Sequence, residues 1–216
     1  MTAKTLKRGR PAKISLDDIV AKAIELLSAD PEKPLSMNAL AKALEVTPMA
    51  LYRYVQDRDH LLQAVANQML SELAPEIPDA DWSQQLRAWS LAVRDYFLAN
   101  PGLFGLLGWN EHIATAWWGQ LATLTRILKA AGLRRQTLAD TVQWVGNSIM
   151  GSIYLEIAGQ QSGYKLNDND WQSLSQDDAI LVEELIDYLN RKNARTVFTD
   201  GVERIIANIQ TSTSHD

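Results

Sequence analysis

The residues whose types and spacing could do chemistry are concentrated in one segment, 36–58, where two short helices carry outward side chains that do not belong to a core. Ser36 is read as the cap of a helix with Met37, Leu40, Ala41 and Leu44 on one side. Thr47-Pro48 is read as a cap followed by proline at the first helical position, opening a helix over 48–55 that turns Leu51 and Val55 inward. Its outward face offers Pro48, Met49, Ala50, Arg53 and Tyr54. Met49 and Ala50 suit contact with thymine methyl groups, and Arg53 suits guanine or a phosphate. The helix N-termini supply N–H groups that bind phosphate. This is the pattern of a helix-turn-helix, whose second helix enters the DNA major groove by its N-terminal end. A helical hairpin used only for packing is the other reading that spacing allows. A second group of residues lies further on, where Trp89, Trp109, Trp117, Trp118 and Trp144 fall among Asn110, His112, Gln143 and Asn147. Either these aromatics are core, or some of them line a concave small-molecule site oriented by the polar groups. Trp89, Val93, Trp109, His112, Trp117, Gln143, Asn147 and Met150 form the candidate ligand set. Trp117 and Trp118 stand about 100° apart on a helix, so only one of them faces inward.

The elements that must position these groups are helical throughout. Ser15 caps a stripe of Leu16, Ile19, Val20, Ala23, Ile24 and Leu27 that ends near Asp30-Pro31, and a fourth helix starts near 57–59. Pro75 and Pro78 interrupt any continuous helix, which divides the chain into a basic arm (1–14), a helix-turn-helix domain (15–75) and a larger domain (76–216). In the larger domain, helices are expected from Trp82 through Phe97, then over 111–131 (closed by Gly132), 136–159, 177–191 and 195–210, with 160–175 as a loop. No strand pattern is evident, so the fold class is all-α.

Charge divides the same way. The net −5 over 216 residues resolves into +2 for residues 1–60 and −7 for the rest, and Lys4, Lys7, Arg8, Arg10 and Lys13 precede any acidic residue. Polyanion binding is therefore expected at the N-terminal end. Arg8-Gly9-Arg10-Pro11 is similar to the core of an AT-hook, which lays Arg-Gly-Arg into a narrow minor groove; a disordered basic tail is the other reading. Cysteine is absent, which excludes disulfides and thiolate metal sites, and no apolar run approaches a membrane span. With three histidines, no Glu-x-x-His pair, no Gly-rich phosphate loop and no Gly-x-Ser-x-Gly elbow, an enzyme is not expected, nor a metal or cofactor. A cytoplasmic, nucleoid-associated location in a bacterium is expected.

The run Ser36-Met-Asn-Ala-Leu-Ala-Lys-Ala-Leu-Glu-Val-Thr-Pro-Met-Ala-Leu-Tyr-Arg-Tyr-Val-Gln-Asp-Arg58, continuing into Asp59-His-Leu-Leu, resembles the DNA-binding domain of TetR-family transcriptional regulators. The resemblance covers about residues 15–75 and is general over 80–216. It implies that Tyr52 and Arg58 grip phosphates, that Pro48, Met49, Ala50 and Tyr54 face base edges, and that Ser36, Met37, Asn38 and Thr47 flank them. Asn38 stands where the tetracycline repressors place a base-reading arginine. Glu45 departs from the turn glycine of many members; if the turn needs a left-handed residue there, glutamate costs about 1 kcal/mol. The tetracycline repressors' drug-binding histidine and asparagine align with Ala74 and Trp89, so the expected effector is an unidentified apolar or aromatic molecule rather than an antibiotic–magnesium complex. Helices 136–159 and 195–210, through Ile149, Ile153, Phe198, Val202, Ile205 and Ile209, are expected to pair with a symmetry mate, giving a homodimer on a palindromic operator in double-stranded DNA; a large monomer core is the other reading. The implied function is a ligand-released repressor, against a DNA-binding regulator with no small-molecule ligand.

Overall fold

The computed structural model describes residues 14–31, 33–106, 115–158 and 165–213. Among these residues there are eleven helices and no strand. The first helix, α1 (Leu16–Ala29), begins in a reciprocal cap: the Asp18 amide donates to Ser15 Oγ at 3.1 Å and the Ser15 amide to Asp18 Oδ2 at 2.8 Å. Its stripe of Ile19, Val20, Ala23 and Leu27 is buried against α2 (Met37–Ala43) and α4 (Arg58–Ser71). Between them α3 (Pro48–Leu51) is a single turn, shorter than the helix expected over 48–55. Past Leu51 the chain tightens into turns, with the amides of Tyr54 and Val55 both donating to the Leu51 carbonyl, before Asp57 caps α4 through the His60 amide at 2.7 Å.

Beyond the proline-broken segment, α5 (Trp82–Ala99) starts on an Asp81 cap and runs through the centre of the body. Around it lie α6 (Gly102–Leu106), α7 (Thr115–Ala130), α8 (Arg135–Ile157) and α11 (Ala194–Thr213). Gly132, with φ 98°, closes α7 as the spacing predicts. The stretch 160–175, expected as a loop, contains α9 (Asp168–Ser173), because Asn167 and Asp170 form a second reciprocal cap. After it, α10 (Gln176–Asn190) has no residue buried within the chain. One apolar cluster runs from Ile19 in α1 through Met69 and Leu70 at the end of α4 to Ile209 in α11, so the small N-terminal helices and the body share a continuous core.

Candidate nucleic-acid interface and helical body

The bend between α2 and α3 is made by one residue. Glu45 has φ 54°, its amide donates to the Lys42 carbonyl at 3.2 Å, and the Val46 amide reaches back to the Ala41 carbonyl at 3.0 Å. These paired bonds are a Schellman motif, whose left-handed position glycine usually fills. Ser36 caps α2 through the Ala39 amide at 3.1 Å. Thr47 stands at the cap position of α3 in extended conformation but makes no side-chain capping bond. An open groove of about 440 Å³ follows, lined by Thr47, Met49, Ala50, Tyr52 and Arg53. Met49 is 73% exposed, and Pro48, Tyr52, Arg53 and Asn38 are exposed with it. Lys33 and Lys42, cations that the sequence reading did not single out, are exposed on the neighbouring backbone. Arg58 donates from Nε to the Leu35 carbonyl at 3.2 Å, which sets its guanidinium beside the N-terminus of α2 with about half of the side chain (49%) open to solvent.

Three residues of the candidate set are less available than the sequence implied. Met37, Ala50 and Tyr54 are half-buried, and Met37 and Tyr54 pack on the apolar cluster. The basic arm with Arg8 and Arg10 lies outside the described residues, as do Trp109 and His112.

In the body, Trp89 and Val93 are buried on α5, Met150 is buried on α8, and Trp117 lies edge-on to Phe97 with ring centroids 6.2 Å apart. Trp118 diverges outward from Trp117, as adjacent helical positions must. Gln143 and Asn147 do not join this group. Both are exposed, on the side of α8 opposite its buried Val145 and Ile149, so they line no common pocket with Trp89. The expected dimer residues are likewise corrected: Ile149, Ile153, Phe198, Val202, Ile205 and Ile209 are all buried within one chain, because α8 and α11 turn them toward α5 and each other. The outward side of α8 carries Trp144 (43% exposed), Gly151 and Leu155 (48% exposed) instead, and that of α11 carries Val197, Gly201 and Arg204. A side chain added at Gly151 or Gly201 would meet nothing within 4 Å.

Sequence reasoning also missed a polar frame inside the body. Arg94 on α5 forms a two-pronged pair with Glu156 on α8, both under 10% exposed, and its guanidinium lies 5.6 Å from the Phe198 ring centroid on α11. The signal was Arg94 on the inward stripe of Leu86, Ser90 and Phe97, a place where a charge requires a partner. The Tyr96 hydroxyl donates to the Met69 carbonyl at the end of α4, and burial, followed by the Glu72 carboxylate, holds that phenol above its usual pKa and therefore protonated. Among the described residues no helix is long and apolar enough to cross a membrane.

No family model matches the chain. It is 29% identical over 163 residues to the HTH-type transcriptional repressor Rv1353c of Mycobacterium tuberculosis, an alignment covering 72% of this chain and 62% of that protein. The chain thus spans about three fifths of that curated relative. Among solved structures, the Streptomyces coelicolor TetR family protein ActR in complex with actinorhodin superposes with TM-score 0.74 at 22% identity, covering 93% of this chain and 97% of the other. BioQ with its natural double-stranded DNA operator superposes with TM-score 0.65 at 21% identity, covering 92% and 99%.

Proposed function

We propose that this chain, whose fold is that of the similar ActR and which is 29% identical to a named repressor, is a TetR-type transcriptional repressor that binds a palindromic operator as a homodimer and is released by a small apolar or aromatic molecule. The observation that carries the reading is the exposed tip of α3, where Thr47, Pro48, Met49, Tyr52 and Arg53 surround an open groove while Leu51 behind them is fully buried. Such a tip presents an apolar end for thymine methyls, a hydroxyl and a guanidinium to base edges, with the α2 N-terminus and Arg58 at the backbone. The arm Arg8-Gly9-Arg10-Pro11 extends the contact into an adjacent minor groove.

Dimerisation is supported by apolar surface that one chain leaves open. Ile180, Leu181, Leu185 and Tyr188 of α10, Trp144 and Leu155 of α8 and Val197 of α11 are all exposed; contiguous apolar surface of this kind marks interaction sites. A twofold axis through α8 and α11 covers some of it and sets two α3 tips about one DNA turn apart. Release by a ligand is supported by the aromatic body around Trp89, Phe97 and Trp117, and by the actinorhodin complex of the similar ActR.

The test is selection of genomic fragments by the purified protein at about 150 mM salt, followed by sequencing. A palindromic motif with half-sites one turn apart is expected, and fragments that are unenriched or merely A/T-rich would overturn the reading.

A further inference from the structure

We infer that Gln120 is the positioning residue by which the body holds the end of α4, and with it the angle at which α1, α2 and α3 leave the body. Trp89 Nε1 on α5 donates to Gln120 Oε1 on α7 at 3.2 Å, and Gln120 Nε2 donates to the Leu73 carbonyl just past α4 at 2.7 Å. All three residues are buried. The chemistry fixes which way the amide points: an indole N–H can only donate and a carbonyl can only accept, so the oxygen faces α5 and the nitrogen faces α4. Few side chains can serve both ends. A carboxyl buried there is neutral and can still bridge the two, whereas methionine or leucine leaves both buried groups without a partner.

Two further bonds reach the same stretch of α4. The Tyr96 hydroxyl of α5 donates to the Met69 carbonyl, and the Ala116 amide in the first turn of α7 donates to Asn67 Oδ1 at 3.0 Å. The first joins α5 to α4 and the second joins α7 to α4, whereas Gln120, on α7, links α5 to the chain just past α4. A hydrogen bond weakens steeply with misalignment. A movement of α7 against α5 is therefore passed to Leu73 through the Gln120 amide. In a twofold dimer, the angle of α4 sets the distance between the two recognition tips, so Gln120 governs the spacing of half-sites that the dimer accepts.

This inference rests on the regulator reading, and the experiment separates the two. Full-length wild type, Gln120→Met, Trp89→Phe and a core control, Leu124→Val, are each titrated with the duplex selected by wild type and with duplexes whose central spacer is one base pair shorter or longer. Gln120→Met is expected to reduce the preference for the selected spacing by about fivefold or more, at the low end of ordinary coupling between sites. Trp89→Phe, which loses only the indole donor, shifts it the same way by less, and Leu124→Val lowers thermal stability with the spacing preference intact. The inference is overturned if a folded Gln120→Met keeps the wild-type preference, or if the core control alters it equally. Should Gln120→Met fail to fold, Trp89→Phe decides by the same criterion. A wild type indifferent to spacing overturns the regulator reading first, and that is visible before any variant is measured.

Discussion

Glu45 holds a backbone conformation that side chains with a Cβ avoid, and the helix-turn-helix bend depends on it. Its exposed side chain has no packing role to offset the strain. Glu45→Gly is therefore expected to raise stability by about 1 kcal/mol, read as a rise of roughly 2–4 °C in Tm. An unchanged or lower Tm would mean that the turn is not strained. The position was legible from the caps on either side; the left-handed conformation was raised only by the family resemblance, which places a glycine there, since a glutamate itself carries no turn signal. Two arginines a few residues away differ in their surroundings. Arg53 lines the groove at the tip, whereas Arg58 is tethered to the Leu35 carbonyl beside a helix N-terminus. Arg53→Ala is expected to relax base preference by about 1–3 kcal/mol at one position of the half-site. Arg58→Ala should instead weaken all DNA about equally, lower the salt slope by about one, and cost roughly 1 kcal/mol of stability through the lost bond. Equal and sequence-independent losses for both variants would contradict the separate roles.

Among the elements, caps and stripes carried most of the information. Ser15, Ser36, Asp57 and Gly132 mark helix ends that the structure places within a residue or two of expectation, because a local bond decides each of them. What one-dimensional periodicity could not give is which neighbour a stripe faces: Ile149, Val202 and Ile205 fit a dimer seam equally well until α5 is seen to occupy that side. The same limit hid the pairing of Arg94 with Glu156, residues 62 apart in sequence. Removing Glu156 leaves the buried Arg94 with only the half-exposed Asp95, 2.8 Å from its guanidinium, so Glu156→Ala is expected to cost about 1.5–3 kcal/mol, and the joint change Arg94→Met with Glu156→Leu to restore most of it. A double variant as unstable as the single one would mean that the pair is more than a brace between α5 and α8. The α5–α11 contact has its own pair, in which Arg87 donates to Glu203 at 2.5 and 2.7 Å and holds that carboxyl below the usual glutamate range, chiefly by hydrogen bonding. A depressed folded pKa means stability that is present above the unfolded value and is lost as pH falls through the folded one. Tm should therefore drop between about pH 5 and pH 3. Glu203→Gln should narrow that drop only slightly, because the pair is largely open to solvent.

For the whole molecule, the exposed apolar surface and the buried stripe make opposite predictions for the proposed dimer. If the dimer formed through Val202 and Ile205, α11 would have to peel away from α5, uncovering a core that includes Phe198 and the Arg94 guanidinium stacked on it. A charge there, as in Ile205→Asp, is expected to unfold the body rather than to separate a pair of folded chains, since a carboxylate without a partner is not tolerated in an apolar core. The outward side of α8 behaves differently. Leu155 is about half open, and Gly151, one turn before it, has room for a close approach by a second helix. Leu155→Arg places a charge that one chain accommodates in water but a twofold contact would set against its own copy. Light scattering should then give half the wild-type mass, with the helical circular-dichroism signal and the unfolding transition retained, and operator affinity should fall because each folded monomer grips only one half-site. A dimeric Leu155→Arg together with a folded, monomeric Ile205→Asp would reverse the assignment and return the seam to the residues now buried against α5.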